Sequence, residues 1–134
     1  MFPWVKRRKR RVHRASTVTK HYVANKEAAR VFVLARLAHY NEYYHLSWNR
    51  VAIRNQRRCW GSCSANKNLN FNYKIQFLPP HLADYIIVHE LCHLTHLNHG
   101  KAFWDLVAEQ VPTYKQCILE LHEIDKKGHR HLLT

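Results

Sequence analysis

Between Val23 and His45 apolar residues return at Val23, Ala28, Val31, Leu34, Ala35 and Ala38, closing on Leu46, while Lys26, Glu27, Arg30 and Arg36 fall around the other side. That period predicts a long amphipathic helix with those apolar residues turned to the core. Tyr40, Tyr43 and Tyr44 are expected at the edge of the core, and His39 and His45 at the surface. The period then falls to two. Val51 and Ile53 alternate with Arg50, Ala52 and Arg54, and Leu69, Phe71 and Tyr73 alternate with Asn68, Asn70 and Asn72, so each strand has one apolar and one polar face. Trp60–Ser64 is expected to pair with Asn68–Asn72 through a turn at Ala65-Asn66-Lys67, leaving an exposed edge to which an extended peptide could add.

Pro79-Pro80 ends the extended segment, and a helix is predicted from Leu82 to Leu97. A second helix, Lys101–Gln110, offers Phe103, Trp104, Leu106 and Val107 for packing on it. Pro112 breaks that helix. Thr113 is placed to cap a last one, Tyr114 to about Lys127, with Ile118, Leu121 and Ile124 inward.

The helix from Leu82 carries His89-Glu90-Leu91-Cys92-His93. At about 100° per residue the two histidines lie about 40° apart, so both imidazoles can meet one ion, and Glu90 projects beside them. Such a carboxylate need not bind the metal. It can take a proton from activated water and hand it to a leaving group, which is the division of labour in zinc-assisted hydrolysis. Tyr85-Ile86-Ile87-Val88 before the motif and Leu91, Cys92 and Leu94 within and after it make the helix apolar nearly all round, where two histidines and a carboxylate need partners.

His99 is favoured as a third ligand, because it stands where the extended pattern of the metzincins has its last histidine. His96 occupies the place of that pattern's turning glycine. Asn98 and Gly100 are expected to supply the left-handed turn that swings His99 back. Three other groups stay open as ligands. His96 lies one turn beyond His93 but too far along a straight helix, and Asp105 or Glu109 of the next helix are candidates for outer support or plain solvated charges.

Trp60-Gly61-Ser62-Cys63-Ser64, Asn68-Leu69-Asn70-Phe71-Asn72, the run Asp84–His93 and Asn98-His99-Gly100-Lys101-Ala102-Phe103-Trp104 follow one another in an order that resembles the YgjP-like metallopeptidases. The resemblance spans roughly the C-terminal two-thirds of the chain. It implies that His89, His93 and His99 bind zinc and that Glu90 is catalytic. Cys59 stands where that family usually has Arg, with Arg57 and Arg58 just upstream, and Gly100 replaces a common Ser. A member of the family is linked to nucleoside triphosphate hydrolysis, so the family name leaves the substrate open.

Charge divides the chain unevenly. Of 22 Lys and Arg among 134 residues, eight fall in the first 20 positions, leaving 14 against 9 acidic residues in the rest. Residues 1–20, with Lys6–Arg11 and Arg14, read as a disordered basic tail able to bind nucleic-acid phosphates in a salt-dependent way, and residues 21–134 as one domain. No apolar stretch follows the basic run as a secretory signal would require, and none approaches the roughly 20 residues of a membrane span. Cys59 and Cys63 have no second pair of matching spacing, which speaks against a structural zinc ribbon. Ordinary reduced thiols and a cytoplasmic location are the expectations, with Cys63, near the end of a strand, as an alternative that would line the site.

These readings converge on a small α+β zincin-like domain with an N-terminal helix, a short antiparallel-type sheet, the His-Glu-x-x-His helix and C-terminal helices. The expected activity is peptide-bond hydrolysis with Zn2+ as cofactor. Its rivals are hydrolysis of a nucleotide phosphoanhydride, with Arg50, Arg54, Arg57 and Arg58 as phosphate ligands, and a non-catalytic zinc-stabilised nucleic-acid module. DNA-linked proteolysis, as in the SprT-like proteases that share the motif, lies between them.

Overall fold

The computed structural model describes residues 17–128. Helix α1 (Thr17–Tyr44) begins inside the segment assigned to the basic tail, whose run Lys6–Arg14 and expected nucleic-acid contacts lie outside the described residues. The buried positions of α1 are Ala29, Val33 and Leu37, whereas Val23 and Val31 are 60% and 71% exposed and Leu34 is exposed as well. The helix is therefore rotated from the face expected. Its inward side joins Ala29, Val33 and Leu37 to long polar side chains that reach backbone and charge, so in sequence it looks less apolar than the exposed side. Tyr22 Oη donates to the Ile53 carbonyl, Arg30 to that of Val51 and Tyr44 Oη to that of Leu106. Arg36 forks onto both oxygens of Asp84 at 2.8 and 3.0 Å, and Tyr40 Oη adds a third donor at 3.0 Å. Such amphipathic side chains bury their stems and satisfy their tips, which a count of apolar residues cannot see. The helix stops where His45 turns left-handed (φ 52) and the Asn41 side chain takes both backbone groups of Leu46. As expected, His39 and His45 are exposed; Tyr40 and Tyr44 edge the core, but Tyr43 is 48% exposed.

Three short strands follow: β1 (Arg50–Arg54), β2 (Gly61–Cys63) and β3 (Asn68–Asn72). Their order is β1-β3-β2. β2 and β3 form the expected antiparallel hairpin, with Ser62 opposite Asn70. β1 runs parallel to β3, Ala52 opposite Asn70, so the sheet is mixed rather than antiparallel throughout. Alternation marks a strand without giving its direction; the long link from β1 to β2 lets β1 and β3 point the same way. Asn72, expected on the polar face, is fully buried. Its side chain accepts from Lys74 N and donates to the carbonyls of Gln56 and Cys59, tying the β1–β2 link to the end of β3. Tyr73 leaves the strand for a 3-10 turn (Tyr73–Phe77) and is also fully buried.

Helix α2 (Pro80–His93) has proline in its first turn, where the missing N–H costs nothing. It is the centre of the core: Leu82, Ala83, Tyr85, Ile86, Ile87, Val88, Leu91 and Cys92 are all buried. Around it pack α1, β2, α3 (Lys101–Ala108) and α4 (Tyr114–Lys127). Thr113 occupies the N-cap position of α4 but makes no side-chain cap bond, and Cys117 and Leu121 are buried there while Ile118 and Ile124 are half-buried. Among the described residues no helix is long and apolar enough to cross a membrane.

Candidate metal centre

α2 ends at His93, a turn earlier than expected, through successive backbone bonds from Leu94 N to Leu91 O and from Thr95 N and His96 N to Cys92 O. The chain then returns without any left-handed residue. Gly100 is extended (φ −82, ψ −177), and Asn98 is not among the residues of positive φ, so the turn expected of these two is not what brings His99 round. Ending the helix early does it instead.

The result is a triangle of ring nitrogens. The Nε2 atoms of His89 and His93 are 3.0 Å apart, those of His93 and His99 2.9 Å, and those of His99 and His89 3.2 Å. His93 Nδ1 lies 2.9 Å from the His96 carbonyl oxygen. That oxygen only accepts, so Nδ1 carries the proton and the neutral ring's lone pair is at Nε2, facing the triangle. His89 Nδ1 is 3.0 Å from Tyr85 Oη, which can orient that ring in the same sense. Phe103 stacks on His93 at 4.3 Å, and Trp104 stacks on His99 while its Nε1 donates to the His99 carbonyl at 3.1 Å. Burial, and then the neighbouring imidazoles, push the pKa of His89 down to about 3; burial also lowers that of His93. Nitrogen lone pairs held this close repel one another unless a cation lies between them. Tetrahedral zinc, with bonds of about 2.0–2.1 Å, sets its ligands about 3.3 Å apart, so the donor set fits such an ion.

Among the described residues these three histidines are the one group of metal-ligating side chains so gathered. Glu90, His96, Asp105 and Glu109 stand outside it. His96 contributes its carbonyl, and Asp105 pairs with Lys101 on the surface. Glu90 is buried, and burial lifts its pKa to about 8; a cation at the histidines would act in the opposite sense. Arg50 and Arg54 are on β1, separated from β2 and Glu90 by β3, and Arg57 and Arg58 are exposed on the link that follows. Cys63 lies on the same face of β2 as Gly61, with burial and then the nearby Glu90 pushing its thiol up to about 11, which keeps it protonated.

Gly61 is the residue whose part sequence reasoning missed. A Cβ there would stand 2.9 Å from Glu90 Oε2, 3.0 Å from its Cγ and 3.1 Å from the Asn70 carbonyl oxygen. Nothing local signals this, since the contact joins β2 to α2. Gly61→Ala should displace the carboxylate and cut turnover by about 10–100-fold, with metal content by elemental analysis unchanged. Equal turnover would show that the carboxylate's position is not critical.

No curated protein matches the chain. In fold it is similar to the crystal structure of the metallopeptidase zymogen of Pyrococcus abyssi abylysin, with a TM-score of 0.60 and 23% identity over 70% of this chain and 93% of that one. The YgjP-like, metallopeptidase domain matches residues 4–124, nearly the whole chain, with the basic run Lys6–Arg14 inside the match. The chain therefore belongs to the YgjP-like metallopeptidase family.

Proposed function

We propose that the protein is a zinc-dependent metallopeptidase in which His89, His93 and His99 hold the ion and Glu90 moves the proton. The observation that carries this reading is the convergence of three Nε2 atoms, 2.9–3.2 Å apart, beside a buried carboxylate that is not one of the group. A bound zinc ion supplies Lewis acidity, polarising a carbonyl oxygen and easing the ionisation of water at neutral pH.

The chain's own residues supply the rest. Glu90 accepts a proton at its carboxylate when water attacks the peptide carbon, and returns it to the nitrogen that departs. Gly61 leaves the room this carboxylate occupies. Tyr85 and the His96 carbonyl keep two of the rings aimed, and Phe103 and Trp104 shield their flanks.

β2 supports a peptide as the substrate. It is an edge strand, and Trp60 O and Ser64 N bond to β3, so by the alternation of an antiparallel ladder the main-chain groups of Gly61 and Cys63 point away from the sheet. An extended peptide can pair with that edge next to Glu90. The four unpaired cysteines suit a reducing compartment, and on that ground we place the protein in the cytoplasm.

The test is incubation of the zinc-loaded full-length protein with a peptide library and, separately, with nucleoside triphosphates. Peptide cleavage that stops on chelation and returns with zinc is the expected result. Nucleotide hydrolysis without peptide cleavage would overturn the peptidase reading.

A further inference from the structure

Residues 43–83 contain no acidic side chain, yet they hold six cations: Arg50, Arg54, Arg57, Arg58, Lys67 and Lys74. Lys74 is buried and the other five are exposed. The segment includes the whole sheet, whose register decides where those five stand. Arg50, Ala52 and Arg54 of β1 lie opposite Asn68, Asn70 and Asn72 of β3, and Ser62 of β2 lies opposite Asn70, so these residues share one face. The other face carries Val51, Leu69, Phe71 and Gly61, and it is the one that meets α2 and Glu90. The arginines of β1 are thus turned away from the metal centre.

The cationic face is open to solvent. Arg50 and Arg54 are exposed, and Ser62, Asn68 and Asn70 are partly so. At one end the Asn72 amide donates to the Gln56 and Cys59 carbonyls, which draws the β1–β2 link over that end with Arg57 and Arg58 exposed on it. At the other end Lys67, left-handed (φ 61) in the β2–β3 turn, accepts from Asn49 N next to Arg50. The ion pairs of the described residues all lie elsewhere, so none of these five cations is neutralised by a carboxylate among them. Five like charges on so small a surface repel one another, and an anionic partner relieves that repulsion. Between the cations runs a row of uncharged polar groups. Asn49 Nδ2 donates to Asn68 Oδ1 at 2.9 Å, Arg54 Nε lies 3.5 Å from Asn70 Oδ1, and Asn70 Nδ2 donates to Ser62 Oγ at 3.3 Å. Each carboxamide keeps further hydrogen-bonding capacity for a ligand.

That combination selects among polyanions. Guanidinium groups fork onto phosphates and stack on flat rings, while carboxamides and hydroxyls both donate and accept, as base edges and the ribose 2′-hydroxyl do. An acidic peptide would use the charges and leave the amides idle. The surface is a three-stranded sheet rather than a projecting helix or ribbon that could enter a groove, so it suits unpaired bases better than a duplex. We propose that this face of the sheet binds single-stranded RNA, with the four arginines and Lys67 on the phosphates and Ser62, Asn68 and Asn70 towards the sugars and bases. The site is separate from the metal centre and does not depend on the peptidase reading.

The probes are a fluorescein-labelled oligouridine of twelve nucleotides, its deoxyuridine counterpart, the duplex of the oligouridine with oligoadenosine, and an oligoglutamate of equal length. Each is titrated with the zinc-loaded full-length protein by fluorescence anisotropy at several salt concentrations. The oligouridine should bind most tightly. Arg50→Gln with Arg54→Gln, and separately Arg57→Gln with Arg58→Gln, should each weaken it by about 10-fold at low salt and flatten the salt dependence by about 1.4 in slope, since each phosphate contact on a single strand contributes about 0.7. Asn70→Asp keeps the shape of the side chain, sets a carboxylate among the arginines and should weaken binding as well. Lys115→Gln with Lys127→Gln on α4 removes the same charge from elsewhere and should change binding by less than about 2-fold, as distant charge alone would. The basic N-terminal run is present in every protein compared, so its share is common to all. Zinc content and circular dichroism report whether each variant is folded, and the remaining variants decide the matter if one is not. Unchanged binding in the folded sheet variants, or an equal loss in the α4 pair, overturns the site. Duplex, deoxyuridine strand or oligoglutamate binding as tightly as the oligouridine overturns the assignment to single-stranded RNA.

Discussion

Glu90→Gln in the zinc-loaded protein should retain one ion per chain and lower peptide turnover by about 10²–10⁴-fold, the range supplied by a positioned general base. Gln has the shape of Glu, so the close approach to Gly61 is kept. It lacks the basic oxygen. The variant thus separates proton transfer from metal binding, because Glu90 is outside the group of ligating nitrogens. A second readout comes from the metal-free protein. Burial raises the Glu90 pKa from 4.5 to about 8, so the native state holds a proton that the unfolded chain releases. Stability from this group is present in full below about pH 4.5 and is lost as pH rises through about 8. Metal-free Glu90→Gln should escape that loss, and the difference between its denaturation midpoint and the parent's should widen across this window. Turnover equal to the parent's at equal zinc content would end the general-base assignment. Loss of zinc together with turnover would make Glu90 part of the metal site instead.

The parts of this design that are local in the chain were legible in the sequence, and the parts that join distant segments were not. The spacing of His89 and His93 on one helix face sets their approach, and the short connection to His99 limits where that ring can go. The tendency of α2 to be buried follows from Tyr85 to Val88 alone. By contrast, the inward face of α1 depends on Asp84, Val51 and Ile53, which receive Arg36, Arg30 and Tyr22 from far along the chain. Counting apolar residues chose the opposite side. The direction of β1 is set by its partner rather than its own alternation, and Asn72 is buried because the β1–β2 link folds over it. Within the site, Tyr85 is four residues before His89 on the same face of α2, so its contact was available from spacing. The need for glycine at 61 was not, because it exists only once β2 lies against Glu90. The left-handed turn expected at Asn98 and Gly100 is absent for a related reason: the loop after His93 has its own hydrogen bonds and His96 carbonyl contact, and these close it without a left-handed residue.

Withdrawal of the metal should have a large effect on stability, and His99→Ala should reproduce it. An ion that binds only the folded chain stabilises it by about 4 kcal/mol when free ion is at about 1,000 times its dissociation constant. For a domain of this size that corresponds to a melting temperature higher by on the order of 10–20 °C. Chelation of the parent should remove this increment and zinc should restore it. His99 is exposed and belongs to the loop rather than to the core, so its loss should leave the metal-free fold nearly as stable as the parent's while stripping one of three donors. The zinc-dependent rise in melting temperature should then shrink or vanish, with zinc content falling below one per chain. His96→Ala is the discriminating control. Only the backbone carbonyl of His96 is used, as the acceptor for His93 Nδ1, so the variant should bind zinc and melt as the parent does. The same holds for Asp105→Asn, whose carboxylate pairs with Lys101 on the surface. If His96→Ala loses zinc and His99→Ala keeps it, the third ligand has been assigned to the wrong histidine. If both keep it, the ion is not held by this triangle.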